Sequence, residues 1–251
     1  GLSGKKILLI DNDPQGNLTA ALGYIPAEQK RTLANLILAA IDYPEDLALH
    51  IERVVLHTES GLGLIPANRR LADAAARLQV MQLSQYNAVG DAERCCERVM
   101  GEVVSALRDL YDYIIIDCQP SITLVVSNVL KCADKVLIPV QADEPAYSGV
   151  KKLLEKISQI KGDLDISKYI LGILLTMDKR GTKVSKIIKD MLNNQYSDFL
   201  FENSIPDRVE AKAEIKGNVL TPCRESLINK SKSEIGSIYM NIVNEIIERC
   251  E

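Results

Sequence analysis

The sequence predicts a doubly wound α/β fold, a mostly parallel sheet with helices on both faces. Two observations carry that reading. Segments near 6–11, 113–117, 135–140 and 169–176 are rich in Ile, Val and Leu without clean polar–apolar alternation, the pattern of parallel strands covered on both faces. Helical patterns near 92–110, 122–132, 145–160 and 182–194 separate them, and strand–helix alternation of this kind builds parallel sheets. The chain has 251 residues, 47% hydrophobic and 25% charged, enough for one large α/β domain.

Taken in order, Gly4-Lys5-Lys6 is a turn leading into the first strand. The region 18–90 is less regular. It predicts a helix near 31–40, short strands at 53–56 and 62–65, a tight connection at Gly61-Leu62-Gly63, and a helix from Asn68. From Lys230 to Glu251 the chain reads as an amphipathic helix. Ile235, Ile238, Tyr239, Ile242, Val243, Ile246 and Ile247 recur three or four apart, a stripe that packs on the body of the protein. No repeat, low-complexity run or long linker interrupts residues 1–251, which predicts a single domain.

The formal net charge is −4, so nucleic-acid binding would have to come from a local patch. Of the six cysteines, Cys95, Cys96, Cys118, Cys132, Cys223 and Cys250, none forms a C-x-x-C pair. They read as reduced cytosolic thiols. With His50 and His57 the only histidines, a zinc site or a Ser-His-Asp triad has few possible members. There is no signal peptide and no apolar run of about 18 residues.

The most informative stretch is Ile7-Leu8-Leu9-Ile10-Asp11-Asn12-Asp13-Pro14-Gln15-Gly16-Asn17. An apolar strand ends in two carboxylates spaced i, i+2, followed by a turn. In open α/β sheets ligands bind at the carboxyl ends of the strands. The device recurs as Tyr113-Ile114-Ile115-Ile116-Asp117-Cys118-Gln119-Pro120-Ser121. Two buried strands ending in Asp point to a magnesium–nucleotide site, because magnesium takes hard oxygen ligands. Any one of these acids taken alone could equally cap a helix starting at Asn17 or Ser121.

These two motifs resemble the D-x-D-P-Q-G-N and YDxIIIDCPPS segments of ParA-type partitioning ATPases. Leu64-Ile65-Pro66-Ala67-Asn68, Val136-Leu137-Ile138-Pro139-Val140-Gln141, Gly172-Ile173-Leu174-Leu175-Thr176-Met177 and Ile205-Pro206 match further family segments in family order. The resemblance covers nearly the whole chain and implies a deviant Walker P-loop NTPase fold. The family's K-G-G-V-G-K-T-T phosphate loop does not occur in these residues. The resemblance therefore implies a preceding strand, loop and helix on the order of 20–30 residues long, without which the chain alone would be inactive.

The resemblance also implies a Mg-dependent ATPase with ATP and Mg as cofactors. It assigns Asp117 and Asp11 to the metal shell and Asp13 to the attacking water. Gln15, Gly16 and Asn17 would sense the γ-phosphate, and Met177, Pro206 and Asp207 would border the adenine. It implies an ATP-dependent homodimer, nonspecific double-stranded DNA and a ParB-like centromere-binding protein as partners, and a cytoplasmic, nucleoid-associated location without a membrane. Lys179, Arg180, Lys183, Lys186, Lys212 and Lys216 are the candidate DNA contacts, with Lys189, Lys230 and Lys232 beside them; the alternative is an ordinary solvated face. Gln119 stands where the family has proline, and Glu210 where it has an arginine implicated in DNA contact. Two other readings remain: a P-loop-less remnant or scaffold without catalysis, and a membrane-associated MinD-like ATPase using the terminal helix.

Overall fold

The computed structural model describes residues 4–87, 98–141, 144–179, 182–207 and 234–250. They fall into two compact units, the first running to Cys132 and the second starting at Ala133.

In the first unit β1 (Ile7–Asn12) lies between β3 (Gly63–Ile65) and β4 (Tyr113–Cys118), parallel to both, and β2 (Leu56–His57) joins β3 antiparallel. Helices α1 (Asn17–Ala21), α2 (Leu33–Asp42), α3 (Leu47–Val54), α4 (Leu71–Asn87), α5 (Val99–Ser105) and α6 (Leu124–Cys132) complete it. Its core is one cluster including Leu8, Ile10, Leu36, Ile37, Ile65, Leu78, Met100 and Leu107, each essentially without solvent contact. Helix α2 is buried along most of its length, and Thr32 and Asn35 close a reciprocal capping box at its start. β4 departs from the expected two-sided cover, as does the strand Val136–Gln141 of the second unit. No strand pairs the outer edge of β4 among the described residues, and Ile115 is 52% exposed.

In the second unit β5 (Val136–Gln141) and β6 (Ile170–Thr176) pair in parallel. Pro139 within β5 suits a strand that, among the described residues, is paired on one edge only. Helices α7 (Glu144–Lys161), α8 (Lys183–Tyr196) and α9 (Glu234–Cys250) belong to this unit. Thr182 caps α8 by accepting the Ser185 N–H. α9 buries Ile235, Ile238 and Ile242, and the last two pack with Leu171, Leu174 and Phe201. That is the packed-stripe reading for these three residues, while Val243 of the same stripe is 43% exposed. No helix among the described residues is long and apolar enough to cross a membrane.

The long strands sit where the sequence places them, within a residue or so. The strand expected at 53–56 is a correction: Arg53 and Val54 close helix α3, and only Leu56 enters a strand. Leu47, Ile51 and Val54 repeat at helical spacing and are all buried, so helical packing overrides the β propensity of Val54-Val55. The helix expected over 92–110 is seen as α5 and a short 3₁₀ turn at Arg108–Leu110, residues 92–97 lying outside those described.

Candidate nucleotide site

Register places Asp11 beside Asp117 and Asn12 beside Cys118, at the carboxyl ends of adjacent parallel strands. Neighbouring strands lie about 4.8 Å apart, so the Asp11 and Asp117 side chains leave the same face side by side. Their surroundings differ. Asp11 is fully buried. One carboxylate oxygen accepts the Thr19 N–H at 2.8 Å and the Thr19 hydroxyl at 2.6 Å, and the other accepts the Asp13 N–H at 3.1 Å. Thr19 Oγ1 also accepts the Ala67 N–H at 3.0 Å. Asp11 thus fastens the first turn of α1 and, through Thr19, the segment after β3. For Asp11 the structure shows the helix-holding role, with most of its lone pairs already engaged.

Asp13 is half-buried. Its carboxylate accepts the Gln15 N–H at 2.9 Å and the Asn17 side-chain amide at 3.3 Å, and the Gly16 N–H donates to its carbonyl at 2.9 Å. The turn depends on glycine: Gly16 has φ +69°, and a Cβ there would lie 2.8 Å from Pro26 and 3.0 Å from the Ala67 carbonyl. Gln15 and Asn17 are exposed. The structure therefore brings Asp11, Asp13, Gln15, Gly16 and Asn17 into one tight turn at the strand end.

Asp117 is exposed, and no hydrogen bond reaches its side chain among the described residues. Partial loss of water at the strand end, then the charges of Asp11 and Asp13, push its carboxyl above the usual carboxylate range. A cation would relieve that strain, and the donors are hard oxygens, so magnesium fits. No trio of acidic, His or Cys side chains among the described residues closes into a metal cage, consistent with an ion that keeps waters and takes phosphate oxygens as ligands. The Gln119 departure leaves Asp117 in place. The Gln119 amide donates to Thr123 Oγ1 at 3.1 Å, Thr123 Oγ1 accepts the Val126 N–H, and α6 starts only at Leu124. Asp117 therefore caps no helix.

The raised Asp117 carboxyl has a stability consequence. Above its folded pKa the native state carries a charge that the unfolded chain holds more easily, so the group subtracts stability at neutral pH. That penalty fades as pH falls through the folded pKa towards 3.8, the unperturbed value. Asp117→Asn is expected to raise the Tm of the metal-free protein at pH 7, with the gain vanishing on acidification, and to abolish the Tm rise expected of the wild type on adding magnesium.

In the second unit the end of β6 meets the 204–207 segment. The Asp178 N–H donates to the Ile205 carbonyl and the Asp207 N–H to the Asp178 carbonyl, both at 3.0 Å, and Asp178 bridges to Pro206. Met177 is 45% exposed and is the one non-glycine residue with positive φ, 51°, among the described residues. Met177, Pro206 and Asp207 are thus brought together, with Pro206 itself buried. Sequence reasoning missed the residue that does the joining, Asp178; its partners are 7 and 26 residues away, and no local pattern marks them.

Of the basic candidates, Lys179, Lys183 and Lys186 are exposed, as is Lys189. Thr182, Lys183, Lys186 and Lys189 line an open cleft of about 490 Å³. Val184, Ile187 and Met191, also exposed, alternate with these lysines on α8. Arg180, Lys212 and Lys216 lie outside the described residues, as do Lys230 and Lys232.

Parallel strands that deliver carboxylates to a glycine-pinned turn define a class, the α/β proteins that handle magnesium and nucleotides at their strand ends. Residues 2–170 match the AAA domain family. The chain is 28% identical over 244 residues to the sporulation initiation inhibitor protein Soj of Bacillus subtilis, covering 97% of this chain and 87% of Soj. It is 31% identical over 210 residues to the chromosome-partitioning ATPase Soj of Treponema pallidum, covering 83% and 74%. Among solved structures it resembles cobyrinic acid a,c-diamide synthase of Mycobacterium smegmatis with bound ATP analogue and magnesium. That match has TM-score 0.67 and 26% identity, covering 92% of this chain and 85% of the synthase. The chain belongs to the ParA/Soj-type partitioning ATPases of the AAA domain family.

Proposed function

We propose that this protein is an ATP-switched partitioning ATPase that moves a plasmid, mobile element or chromosome. The observation that carries the reading is the carboxylate arrangement. Among the described residues Asp117 stands without a hydrogen-bond partner beside Asp11, whose buried carboxylate fixes the turn holding Asp13. In this reading Asp117 holds magnesium, and Asp11 supports it from behind by keeping the turn and α1 in place. Held there, magnesium would supply neutralisation of phosphate charge. Asp13 orients the attacking water, while Gln15, Gly16 and Asn17 report the γ-phosphate to the rest of the turn. Met177, Pro206 and Asp207 contact the adenine. The test is ATP turnover by the intact protein with magnesium and after its removal; turnover indifferent to chelation would refute the metal assignment.

DNA and protein partners belong to the same reading. ATP binding forms a homodimer that holds nonspecific duplex DNA, and a ParB-like centromere-binding protein stimulates hydrolysis and release. Support comes from the relatives and from the exposed lysines of α8 with Lys179; Arg180, Lys212 and Lys216 complete the proposed patch. The location is cytoplasmic and nucleoid-associated, and residues 1–251 act as one ATPase domain. Contacts of this kind touch phosphates without reading bases. The logarithm of DNA affinity should then fall linearly with the logarithm of salt concentration, with a slope near −0.9 per phosphate contact. Lys183→Ala and Lys186→Ala should each make that slope less steep by about 0.9. A salt-insensitive association, or slopes unmoved by either change, would remove α8 from the DNA contact.

A further inference from the structure

We infer that Asp178 is a positioning residue for nucleotide-base binding, an inference that rests on the assignment of Met177 and Asp207 to the adenine. Asp178 is buried, and its side chain spans two otherwise separate pieces of chain. The Ser185 hydroxyl, in the first turn of α8, donates to one carboxylate oxygen. The Ser204 hydroxyl donates to the other at 2.8 Å. Ser185 and Ser204 are themselves buried. The backbone of the same residue is clasped in both directions, by the Ile205 carbonyl and the Asp207 N–H.

Two costs meet here. A buried carboxylate held only by hydroxyls, with no cation paired to it among the described residues, is an expensive way to join a helix to a strand; apolar packing would do it more cheaply. The preceding residue, Met177, is held at φ 51°, a left-handed conformation that a side chain with a Cβ adopts only when its surroundings enforce it. Such strain gathers where a ligand must be met in one geometry. Asp178 supplies the enforcement: pinned on both carboxylate oxygens and through both backbone groups, it fixes the peptide that follows Met177 and the one that leads into Asp207. The exposed Met177 side chain and Asp207 then stand in a fixed relation to each other before any base arrives, so binding does not have to order them.

The experiment compares Kd for Mg-ATP with Kd for magnesium triphosphate, which lacks base and ribose, in the intact wild type and in Ser204→Ala, Ser204→Thr and Asp178→Asn. The wild type should prefer ATP. Ser204→Ala and Asp178→Asn should lose about tenfold in ATP affinity, the size of roughly one well-placed contact, with triphosphate binding unchanged. Ser204→Thr, which keeps the hydroxyl, should restore the preference, a result that a merely structural role would not give. If Asp178→Asn fails to fold, the two Ser204 variants decide alone. Folded variants that keep the wild-type ATP-to-triphosphate ratio, or that lose both ligands together, would overturn the proposal while leaving the adenine assignment intact. A wild type that binds triphosphate as well as ATP would overturn the adenine assignment, and the proposal with it.

Discussion

Asp13→Ala in the intact protein is expected to reduce ATP turnover at least about a hundredfold, the lower range for losing a group that manages a reacting proton or water. ATP affinity should stay within about threefold, because an interaction made only as the reaction proceeds shows in kcat and not in binding. The structure gives the reason for that split. Asp13 is the carboxylate of the turn that keeps solvent contact while its backbone is tied down on both sides. Asp11 holds its N–H, Gly16 donates to its carbonyl, and Gln15 and Asn17 hold its carboxylate in one orientation. The turn is also anchored by Asp11 and by the left-handed Gly16, and the two bonds that the Asp13 carboxylate accepts are exposed, so truncation should spare the fold. Single-turnover hydrolysis and ATP binding measured on the same sample check the split. Unchanged turnover would take Asp13 out of the reaction, and a collapse in binding would make it a ligand-holding residue.

The parallel strands were legible because strands covered on both faces consist of unbroken Ile, Val and Leu. The turn at Asp13 was legible because its determinants, Asp13, Gly16 and Asn17, lie within five consecutive residues. What the sequence hid is long-range. Helix α1 is only five residues, Asn17–Ala21, too short to show a period, and it exists because Asp11 accepts from Thr19 eight residues on. That same bond makes Asp11 a buried anchor of the turn as well as a residue assigned to the metal shell, and no spacing rule reveals the anchoring. The Asp178 cluster was invisible for a similar reason. Ser204 is 26 residues from Asp178, and serines before a Pro read as ordinary loop. Ile115 shows the converse: an apolar residue in an apolar run reads as covered, yet it is half exposed because β4 is an edge strand among the described residues.

A large stability loss should come from Gly172→Ala. Gly172 lies in β6, where small size and not backbone freedom is what the structure requires. A Cβ there would lie 2.4 Å from Phe201 Cε2 and 2.7 Å from the Phe199 carbonyl oxygen, far inside contact distance. Relief by moving Phe201 is blocked. Its ring is buried, and the Arg249 guanidinium lies over it at 4.4 Å while donating to the carbonyls of Leu171, Phe199 and Leu200 and pairing with Glu245 at 2.7 Å. Shifting Phe199 is blocked as well, since the Phe201 N–H donates to the Ile173 carbonyl at 3.0 Å and holds the segment against β6. Overpacking of a close-packed site that cannot yield costs about 3 kcal/mol, which in a chain of this size lowers Tm by roughly 6–12 °C. Phe201→Ala alone should also destabilise, by about 3–5 kcal/mol, because it leaves a cavity and removes the ring under Arg249. The double variant separates the two mechanisms. With the ring gone, the two ring contacts vanish and only the Phe199 carbonyl contact at 2.7 Å remains, so Gly172→Ala in the Phe201→Ala background should cost less than half of what it costs alone, a coupling above about 1 kcal/mol. Additive losses in urea unfolding would mean that the clash is with the Phe199 carbonyl and that the backbone, not the ring, sets the limit at this position.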